Sequence, residues 1–589
     1  MKKFLIVILF TSMILTFLPA AVFGEAWEYY GIDCDEKDDG TLAVRKCVDD
    51  IADIVIPSEI EGKKVTGIDD FAFSNGDMLK SVVIPDSVTS IGDKAFEDCG
   101  SLTSIQVAEG NKYYSSADGV LFNKDKTELI FCPDSKSGGC TIPDSVTSIR
   151  EGAFANCGSL TSVTLGKGMT STGYSTFYGC SALTSIVIPD SVTSIDGGAF
   201  ENCGSLVSIE IPDSVTSIGW FAFRNCSALS SLNLGNGVTS IDNLAFAGCD
   251  NLTSITIPDS VKSIGSTAFP NSLTSIQTSE GNENYVSIDG VLFNKDKTEL
   301  IRYPAAKPEN TYTIPDSVTS IGYNAFSGCA SLTSIVIPDS VTSIGNFAFN
   351  DCSSLASIEI PDGVTSIGNF AFSGAAYCDD ENNQEDGVVY IGKYLLRAIT
   401  DISGAYEIKD GTKLIADGAF EWCLDLTSVA IPDSVTSIGD GAFWTCRNLT
   451  SIEIPDSVTS IGDYAFDDCS GLARVSIGNG VTSLGEGTFS GCTSLKSIAI
   501  PSSVTSIGKD AFYKPALKRI YGSAGSYSQT YAKENGYRFL DIEKHDPDKY
   551  DTEVTIIILT EFIALAVIGI AVFIVVRILR KKKRARLQR

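Results

Sequence analysis

The chain has 589 residues, of which 43% are hydrophobic and 20% charged, a composition that excludes a disordered acidic chain. Its formal net charge of −29 excludes a nucleic-acid-binding protein. A single histidine, His545, leaves no histidine base for a serine or cysteine nucleophile elsewhere, and no phosphate-binding, dinucleotide or HExxH motif occurs. We therefore expect no enzyme, no cofactor and no catalytic metal.

Residues 1–24 have the pattern of a secretory signal peptide. Lys2 and Lys3 precede an apolar run, and small residues follow it. The pattern predicts export, which permits disulfides. Residues 25–53 do not match the repeat that follows, so we predict an N-terminal cap there, in which Cys34 and Cys47 are candidates for a disulfide.

A repeat occupies most of the chain. The octapeptide IPDSVTSI occurs eight times, first at Ile84 and last at Ile454, within units of the form LTSIxIPDSVTSIGxxAFxxCxx. The phenylalanine of this unit recurs every 23 residues in long runs, as in Phe154 and Phe177. Such a period predicts a solenoid, in which stacked coils bury apolar side chains that one coil cannot bury alone. We predict a β-rich solenoid over residues 54–525, a leucine-rich repeat (right-handed β/α superhelix) of about 16 coils.

This unit resembles the leucine-rich repeat of the Treponema pallidum type, found in BspA-like surface proteins. The resemblance covers about residues 50–540. It implies a cell-surface solenoid and, as in some family members, adhesion to host matrix or other cells.

Three inserts interrupt the repeat, near residues 111–141, 280–313 and 375–410. The first two contain the identical stretch DGVLFNKDKTELI, and the third contains the divergent DGVVYIGKYLL. Apolar runs on either side of NKDKT are typical of a hairpin. The hairpins either lengthen the sheet and seal a flank, or project as binding loops.

Most of the 17 cysteines follow the repeat phenylalanine by three residues. Because stacked strands are about 4.8 Å apart, we expect these cysteines to form a column of buried thiols, neither disulfide-bonded nor bound to zinc. Alignment of the first two inserts places Cys132 opposite Tyr303 and Cys140 opposite Tyr312. Cys132 and Cys140 are therefore a second candidate disulfide.

The aspartate of the IPDSV phrase recurs along consecutive coils, as in Asp190 and Asp213. Each aspartate either caps the backbone of its own turn or contributes to a weak calcium-binding edge, because calcium accepts several oxygen ligands in loose geometry. The sequence leaves both possibilities open.

Two groups of residues are candidates for a binding surface. On the strand, small residues predominate and the larger solvent-facing side chains are glutamates, which favours shallow, multivalent contacts. Outside the strand, the variable GxxAFxxC segment contains large aromatic side chains of the kind found at binding hot spots, although they also suit packing on the flank. The candidates are Glu210, Glu359 and Glu453 on the strand, and Trp220, Trp422, Trp444 and Tyr464 in the variable segment.

The C-terminal region predicts a membrane anchor. A cap helix is expected within residues 526–542, followed by a linker over 543–553. Residues 554–576 are apolar and long enough to cross a bilayer, and the basic residues of 577–589 follow directly. We predict a single-pass protein of the cell membrane, with extracellular repeats and a short cytoplasmic tail.

We therefore expect a cell-surface protein that binds a protein or glycan ligand on host or neighbouring cells, most simply an adhesin. The alternative is a structural spacer or surface-coat protein with no specific ligand. Sequons begin at Asn225, Asn251 and Asn448, and they matter only in a cell that glycosylates them.

Overall fold

The computed structural model describes residues 27–29, 31–47, 51–398, 402–513 and 516–545. They fall into two compact units, divided after Cys249. Within these ranges no helix combines the length and the apolar character that a membrane span needs. The predicted signal peptide, membrane span and basic tail all lie outside the described residues.

Each coil contributes two short parallel strands, which belong to two separate rows. The first strand row comes from the LTSIxI segment: Ser208–Glu210 pairs with Ser231–Asn233, one period later. The second strand row comes from the TSI of SVTSI: Ser194–Ile195 pairs with Ser217–Ile218. Pairing at a constant offset of one repeat places identical residues next to each other, which explains the uniformity of the sequence.

In the first unit, the first strand row contains Asp53–Val55, Ser81–Ile84, Ser104–Val107, Gly138–Thr141, Leu160–Thr164, Ser185–Val187, Ser208–Glu210 and Ser231–Asn233. The second contains Lys63–Ile68, Ser90–Ile91, Glu128–Phe131, Ser148–Ile149, Ser194–Ile195, Ser217–Ile218 and Ser240–Ile241. Trp27–Tyr29, Ile32–Glu36, Leu42–Cys47 and Glu59–Ile60 lie at the N-terminal end. Leu42–Cys47 pairs in parallel with Lys63–Ile68 and so joins the second row.

In the second unit, the first strand row contains Ser254–Ile257, Ser275–Thr278, Thr311–Thr313, Ser334–Val336, Ser357–Ile358, Gly404–Glu407, Leu426–Ala430, Ser451–Ile454, Arg474–Ile477, Ser497–Ala499, Arg519–Gly522 and Arg538–Asp541. The second contains Ser263–Ile264, Glu299–Arg302, Ser320–Ile321, Ser343–Ile344, Ser366–Ile367, Tyr394–Ala398, Leu414–Ile415, Ser437–Ile438, Ser460–Ile461, Ser483–Leu484 and Ser506–Ile507. In the segment predicted as the C-terminal cap, a helix covers Tyr527–Glu534.

The solenoid has about 21 turns, more than the 16 predicted. The prediction counted only coils that carry the repeat phenylalanine. Coils without it also continue the strand rows: Gly138–Thr141 pairs with Leu160–Thr164, and Arg538–Asp541 pairs with Arg519–Gly522. Backbone pairing does not need the phenylalanine, so the sequence motif underestimates the length of the fold.

The core of each coil is organised around the repeat phenylalanine. Phe200 is fully buried, and its ring stacks on that of Phe223 with centroids 5.2 Å apart. In the next turn of the chain, the Cys226 Sγ donates to the Phe200 carbonyl oxygen at 3.1 Å. The same bond recurs one coil later, from Cys249 to Phe223 at 3.1 Å. The cysteine column thus satisfies buried carbonyl groups, as buried polar atoms require.

Each insert adds a pair of antiparallel strands. They are Tyr114–Ala117 with Val120–Asn123, Tyr285–Ile288 with Val291–Asn294, and Gln384–Glu385 with Val388–Ile391. A short helix, Ala376–Asp379, and a 3-10 turn, Glu381–Asn383, precede the third pair. In every insert the chain then returns to the second strand row, through Glu128–Phe131, Glu299–Arg302 and Tyr394–Ala398. The hairpins therefore extend the sheet of the second row.

Candidate binding surface

The structure separates the two predicted groups of binding residues. Glu210, Glu359 and Glu453 are exposed at the first strand row. Their neighbours in register are small: Glu210 lies opposite Asn233, and Glu453 lies opposite Ser476. The predicted aromatic residues lie in the turn after the second row instead, on a different segment of the coil.

Trp220 is the only one of the predicted aromatic residues in the first unit. Its side chain is 55% exposed and lies 4.8 Å from the Phe221 ring. The Arg224 guanidinium lies 4.8 Å above the same Phe221 ring. This cluster therefore consists of neighbours in one turn, and we treat it apart from the aromatic residues of the second unit.

In the second unit, exposed and half-buried aromatic side chains contact one another from coil to coil. The Trp422 and Trp444 rings lie edge to face, 5.6 Å apart. On earlier coils, Phe370 stacks on Phe347 at 5.4 Å, and Phe347 contacts Tyr323 at 5.6 Å. We call these five residues the aromatic strip. Tyr464 follows on the next coil, where its hydroxyl donates to Glu486 at 2.8 Å.

Trp422 has a backbone conformation that is unusual for a bulky residue. Its φ is +61°, in the left-handed region that disfavours a side chain with a large Cβ substituent. The residue before the repeat cysteine has this φ in many coils, and there it is usually glycine, asparagine or aspartate, as in Gly328 and Asn202. A bulky residue held there costs about 1–3 kcal/mol, and such strain concentrates at functional sites. The position of Trp422 therefore favours a role in binding.

A cavity of about 350 Å³ lies between Phe370 and Trp422. It occurs where the third insert interrupts the strip, and Leu396, Arg397 and Ala398 of strand Tyr394–Ala398 line it. We call it the third-insert cavity. Its volume falls in the lower part of the range of about 300–1,000 Å³ that small-ligand sites occupy.

Comparison with the second insert explains why this cavity exists. Pairing in the second row makes Leu395 equivalent to Leu300, so Arg397 and Ala398 correspond to Arg302 and Tyr303. Tyr303 occupies the phenylalanine column and stacks on Phe326 at 5.2 Å. Ala398 has no ring to place there, which leaves space between Phe372 and Phe420.

The arginines at this position also differ. Arg302 is 7% exposed and donates to the Asn324 carbonyl and, at 3.0 Å, to Asn271 Oδ1. Arg397 donates through Nη2 to Asp379 at 3.0 Å. Its Nε is buried and has no hydrogen-bond partner among the described residues. Water does not reach this atom, whereas the Arg397 side chain as a whole is 38% exposed and lines the cavity. A ligand with an acceptor oxygen therefore suits the accessible part of this guanidinium.

Polar groups line one side of the same cavity. Both oxygens of Glu421 accept a hydrogen bond, one from Asn369 at 2.9 Å and one from the Trp422 indole at 3.0 Å. These bonds fix the orientation of the Trp422 ring. Burial raises the pKa of the Cys378 thiol in the cavity wall to about 12, so this thiol is neutral and acts as an apolar surface.

The first insert has a comparable cavity in the first unit, also of about 350 Å³. There Cys132 stands at the position of Tyr303. Asp134 lines the cavity, and burial, followed by the charge of Asp98, raises its pKa to about 7. This cavity has no neighbouring pair of tryptophans, and we do not assign it to the binding surface.

All 17 cysteines lie in the described ranges and are thiols in this structure, and the two predicted disulfides stay predictions. The strand register places Cys34 opposite Val44 and Cys47 opposite Ile32, so these two cysteines do not face each other. Cys132 stands in the phenylalanine column, like Tyr303, where its carbonyl oxygen accepts from Cys157 Sγ at 3.6 Å, and Cys140 lies on strand Gly138–Thr141 of the first row.

Some of the repeat aspartates bond to the coil that follows. Asp213 Oδ1 accepts from the Asn236 amide at 2.7 Å, and Asp456 Oδ1 accepts from the Asn479 amide at 2.6 Å. No group of three or more potential metal ligands occurs within the part of the chain that the structure describes. These aspartates therefore link consecutive coils.

Sequence analysis found Trp422, Trp444 and Tyr464 but missed Tyr323, Phe347 and Phe370, which occupy the same variable segment. It also missed Arg397 and Ala398. Alignment of the third insert with the second, with Leu395 placed on Leu300, would have shown Arg397 and Ala398 opposite Arg302 and Tyr303. The absence of a ring at Ala398 depends on the residue that the returning strand places in the phenylalanine column, and the repeat motif alone does not show this.

The profile of the BspA type Leucine rich repeat region matches residues 45–135, 127–234, 170–299, 305–410 and 413–532. No curated protein matches the chain. A leucine rich cell surface protein from Faecalibacterium prausnitzii is 26% identical over 87% of this chain and 98% of its own, with a TM-score of 0.32. The pneumococcal vaccine antigen PcpA is 19% identical over 88% of this chain and 98% of its own, with a TM-score of 0.24. The T. pallidum leucine-rich repeat protein is 24% identical over 43% of this chain and 86% of its own, with a TM-score of 0.19. Because the family profile matches most of its length, the chain belongs to the BspA-type leucine-rich repeat proteins.

Proposed function

We propose that this protein binds macromolecular partners at the cell surface and acts as an adhesin for host matrix or other cells. The observation that carries this proposal is the aromatic strip, in which four of the five side chains are exposed and which the third-insert cavity interrupts. Tryptophan and tyrosine dominate binding hot spots because they bury a large area at a low entropic cost. The predicted signal peptide, membrane span and basic tail support the surface location.

Charge limits the partners that suit this surface. The chain has a net charge of −29, so it repels acidic partners at long range. The strip itself is largely apolar, and contacts made there depend little on salt. We therefore propose protein or glycan partners whose contact surface is neutral or basic, and no catalytic role.

The test is binding of the full-length chain to host cells and matrix proteins at several salt concentrations. The double variant Trp422→Ala/Trp444→Ala removes the edge-to-face pair, and we expect it to weaken binding by about 1–3 kcal/mol, roughly 5- to 150-fold. The matched control is Tyr113→Ala/Tyr174→Ala, since both tyrosines are exposed and lie in the first unit. Equal weakening by both double variants would refute a site on the strip.

The second candidate function is that of a spacer with no specific ligand. The observation that favours it is the identity of the octapeptide in eight coils, because a binding face usually varies. It predicts no saturable binding by the full-length chain. Antibody labelling of intact cells against the repeats tests the surface location that both functions need.

A further inference from the structure

We propose that the third-insert cavity binds one neutral sugar ring of a glycan. The inference rests on the proposed function and names the ligand class of the same surface. It is argued from the walls of the cavity, its polar groups and its charge.

The walls suit a ligand with an apolar face. Phe370 is 45% exposed and Trp422 is 43% exposed, and both line the cavity. The C–H groups on the face of a pyranose ring are apolar and slightly positive, so they complement the negative face of an aromatic ring. The indole of Trp422 is held in place by its bond to Glu421, which reduces the entropic cost of stacking.

The polar groups suit hydroxyl groups. The Arg397 side chain lines the cavity and is 38% exposed, so its guanidinium can donate to a sugar oxygen. Among the described residues, Glu421 accepts one hydrogen bond at each carboxylate oxygen, from Asn369 and from Trp422, so lone pairs remain for a hydroxyl donor. A hydroxyl group both donates and accepts, which matches this combination of a guanidinium and a carboxylate.

Charge excludes the other ligand classes. The Arg397 guanidinium disfavours a cation, while Asp379, Glu421 and the net charge of the chain disfavour an anion. A purely apolar ligand covers the exposed part of the Arg397 guanidinium without offering it an acceptor. A neutral ligand with one apolar face and several hydroxyl groups remains, and a single ring fits a cavity of about 350 Å³.

The second insert supplies the variant that tests this inference. Ala398→Tyr fills the cavity with the ring that Tyr303 places at the equivalent position. Arg397→Lys retains a cation for Asp379 but removes the planar guanidinium with its several N–H donors. Trp422→Ala removes one wall, and Tyr174→Ala removes an exposed ring of the first unit.

The experiment is saturation-transfer NMR on the full-length chain, in a detergent without a sugar headgroup. The probes are methyl glycosides of glucose, galactose and N-acetylglucosamine, with N-acetylneuraminic acid as the anionic sugar. We expect saturable transfer to at least one neutral glycoside, no transfer in Ala398→Tyr, and affinity at least about tenfold lower in Arg397→Lys and Trp422→Ala. Tyr174→Ala should bind as the parent chain does.

Three results would overturn the inference: no transfer to any neutral glycoside, transfer that survives Ala398→Tyr, or preference for N-acetylneuraminic acid. The thermal transition of each variant shows whether it folds, and if Ala398→Tyr does not fold, Arg397→Lys carries the test. Cell binding separates the two proposals. An Ala398→Tyr chain that binds cells normally, beside a parent chain that binds no sugar, retains the proposed function and loses this inference.

Discussion

The second and third inserts of the second unit solve one structural problem in two ways. In both inserts, the strand that returns to the second row is not followed by a GxxAF turn. The coil therefore has no repeat phenylalanine to fill its part of the core. At the second insert, Tyr303 and Arg302 occupy the resulting space, and both are buried. At the third insert, Ala398 and Arg397 leave a cavity beside exposed aromatic rings. The comparison shows that the repeat fold does not require this space to be empty, since it is filled where a tyrosine is present.

A second difference lies in the turn that follows each insert. Gly328 and Trp422 are equivalent, and both have a left-handed φ, of +77° and +61°. A Cβ at Gly328 would come within 2.6 Å of the Asn271 amide, so a side chain there requires Asn271, which accepts from Arg302, to move. The third insert accepts a tryptophan at the same position. The second insert, in which the space is filled, therefore has glycine at this position, and the third insert, in which the space is open, has tryptophan.

The largest effect is expected from Tyr303→Ala, which converts the second insert into a copy of the third. Tyr303 is 1% exposed and contacts Tyr312 at 4.9 Å as well as Phe326. Loss of a buried ring and the resulting cavity should lower the free energy of unfolding by about 3–5 kcal/mol. Hydrogen exchange at the amide of residue 303, which donates to Ala325, measures the local loss. A loss below about 1 kcal/mol would show that the ring does not support the coil.

Replacement of the two arginines by methionine should give a smaller and unequal effect. Arg302→Met leaves the buried Asn324 carbonyl without its guanidinium donor, which costs about 1–3 kcal/mol. Arg397→Met removes one partly exposed ion pair with Asp379, which is worth about 0–1 kcal/mol. Urea denaturation measures both. Equal losses would mean that the two inserts are alike in their energetics, and the comparison would fail.

A pH dependence should distinguish the third insert from the second. Burial, followed by the charge of Asp440, raises the pKa of Asp417 from 3.8 to about 7, and the equivalent residue at the second insert is Tyr323. Because the folded state then binds more protons than the unfolded state between these two pH values, Asp417 stabilises the fold at low pH and loses that contribution as pH rises towards 7.

Asp417→Asn tests this pH dependence and retains the oxygen that accepts from the Asp440 amide at 2.9 Å. We expect hydrogen exchange of the coils next to the third insert to become less dependent on pH between about 4 and 7 in this variant. Exchange around the second insert is the internal control. An unchanged pH dependence at the third insert would contradict the assignment to Asp417.

The sequence predicts the regular coils well because each coil has the same neighbours. Position in the repeat gives the strand rows, the phenylalanine column and the cysteine column, and the family is confirmed. The inserts are harder, because their effect depends on which residue of the returning strand falls in the phenylalanine column. The residues Tyr303 and Ala398 decide whether a cavity exists, yet neither belongs to the repeat motif. The hydrogen bonds of Asp213 and Cys226 to other coils likewise depend on stacking geometry that one repeat does not contain.

The smallest change in stability, and the sharpest test of the comparison, is expected from Trp422→Gly. Glycine at φ +61° relieves strain of about 1–3 kcal/mol, although the chain entropy that glycine loses on folding offsets about 0.5–1 kcal/mol of this gain. Loss of the edge-to-face contact with Trp444 opposes this by about 0.5–1.5 kcal/mol. The two effects nearly cancel, so the midpoint of urea denaturation should stay close to that of the parent chain while cell binding falls. A clear loss of stability would mean that Trp422 is there to pack the flank, whereas unchanged stability with lost binding would mean that the strain at this position is retained for the ligand.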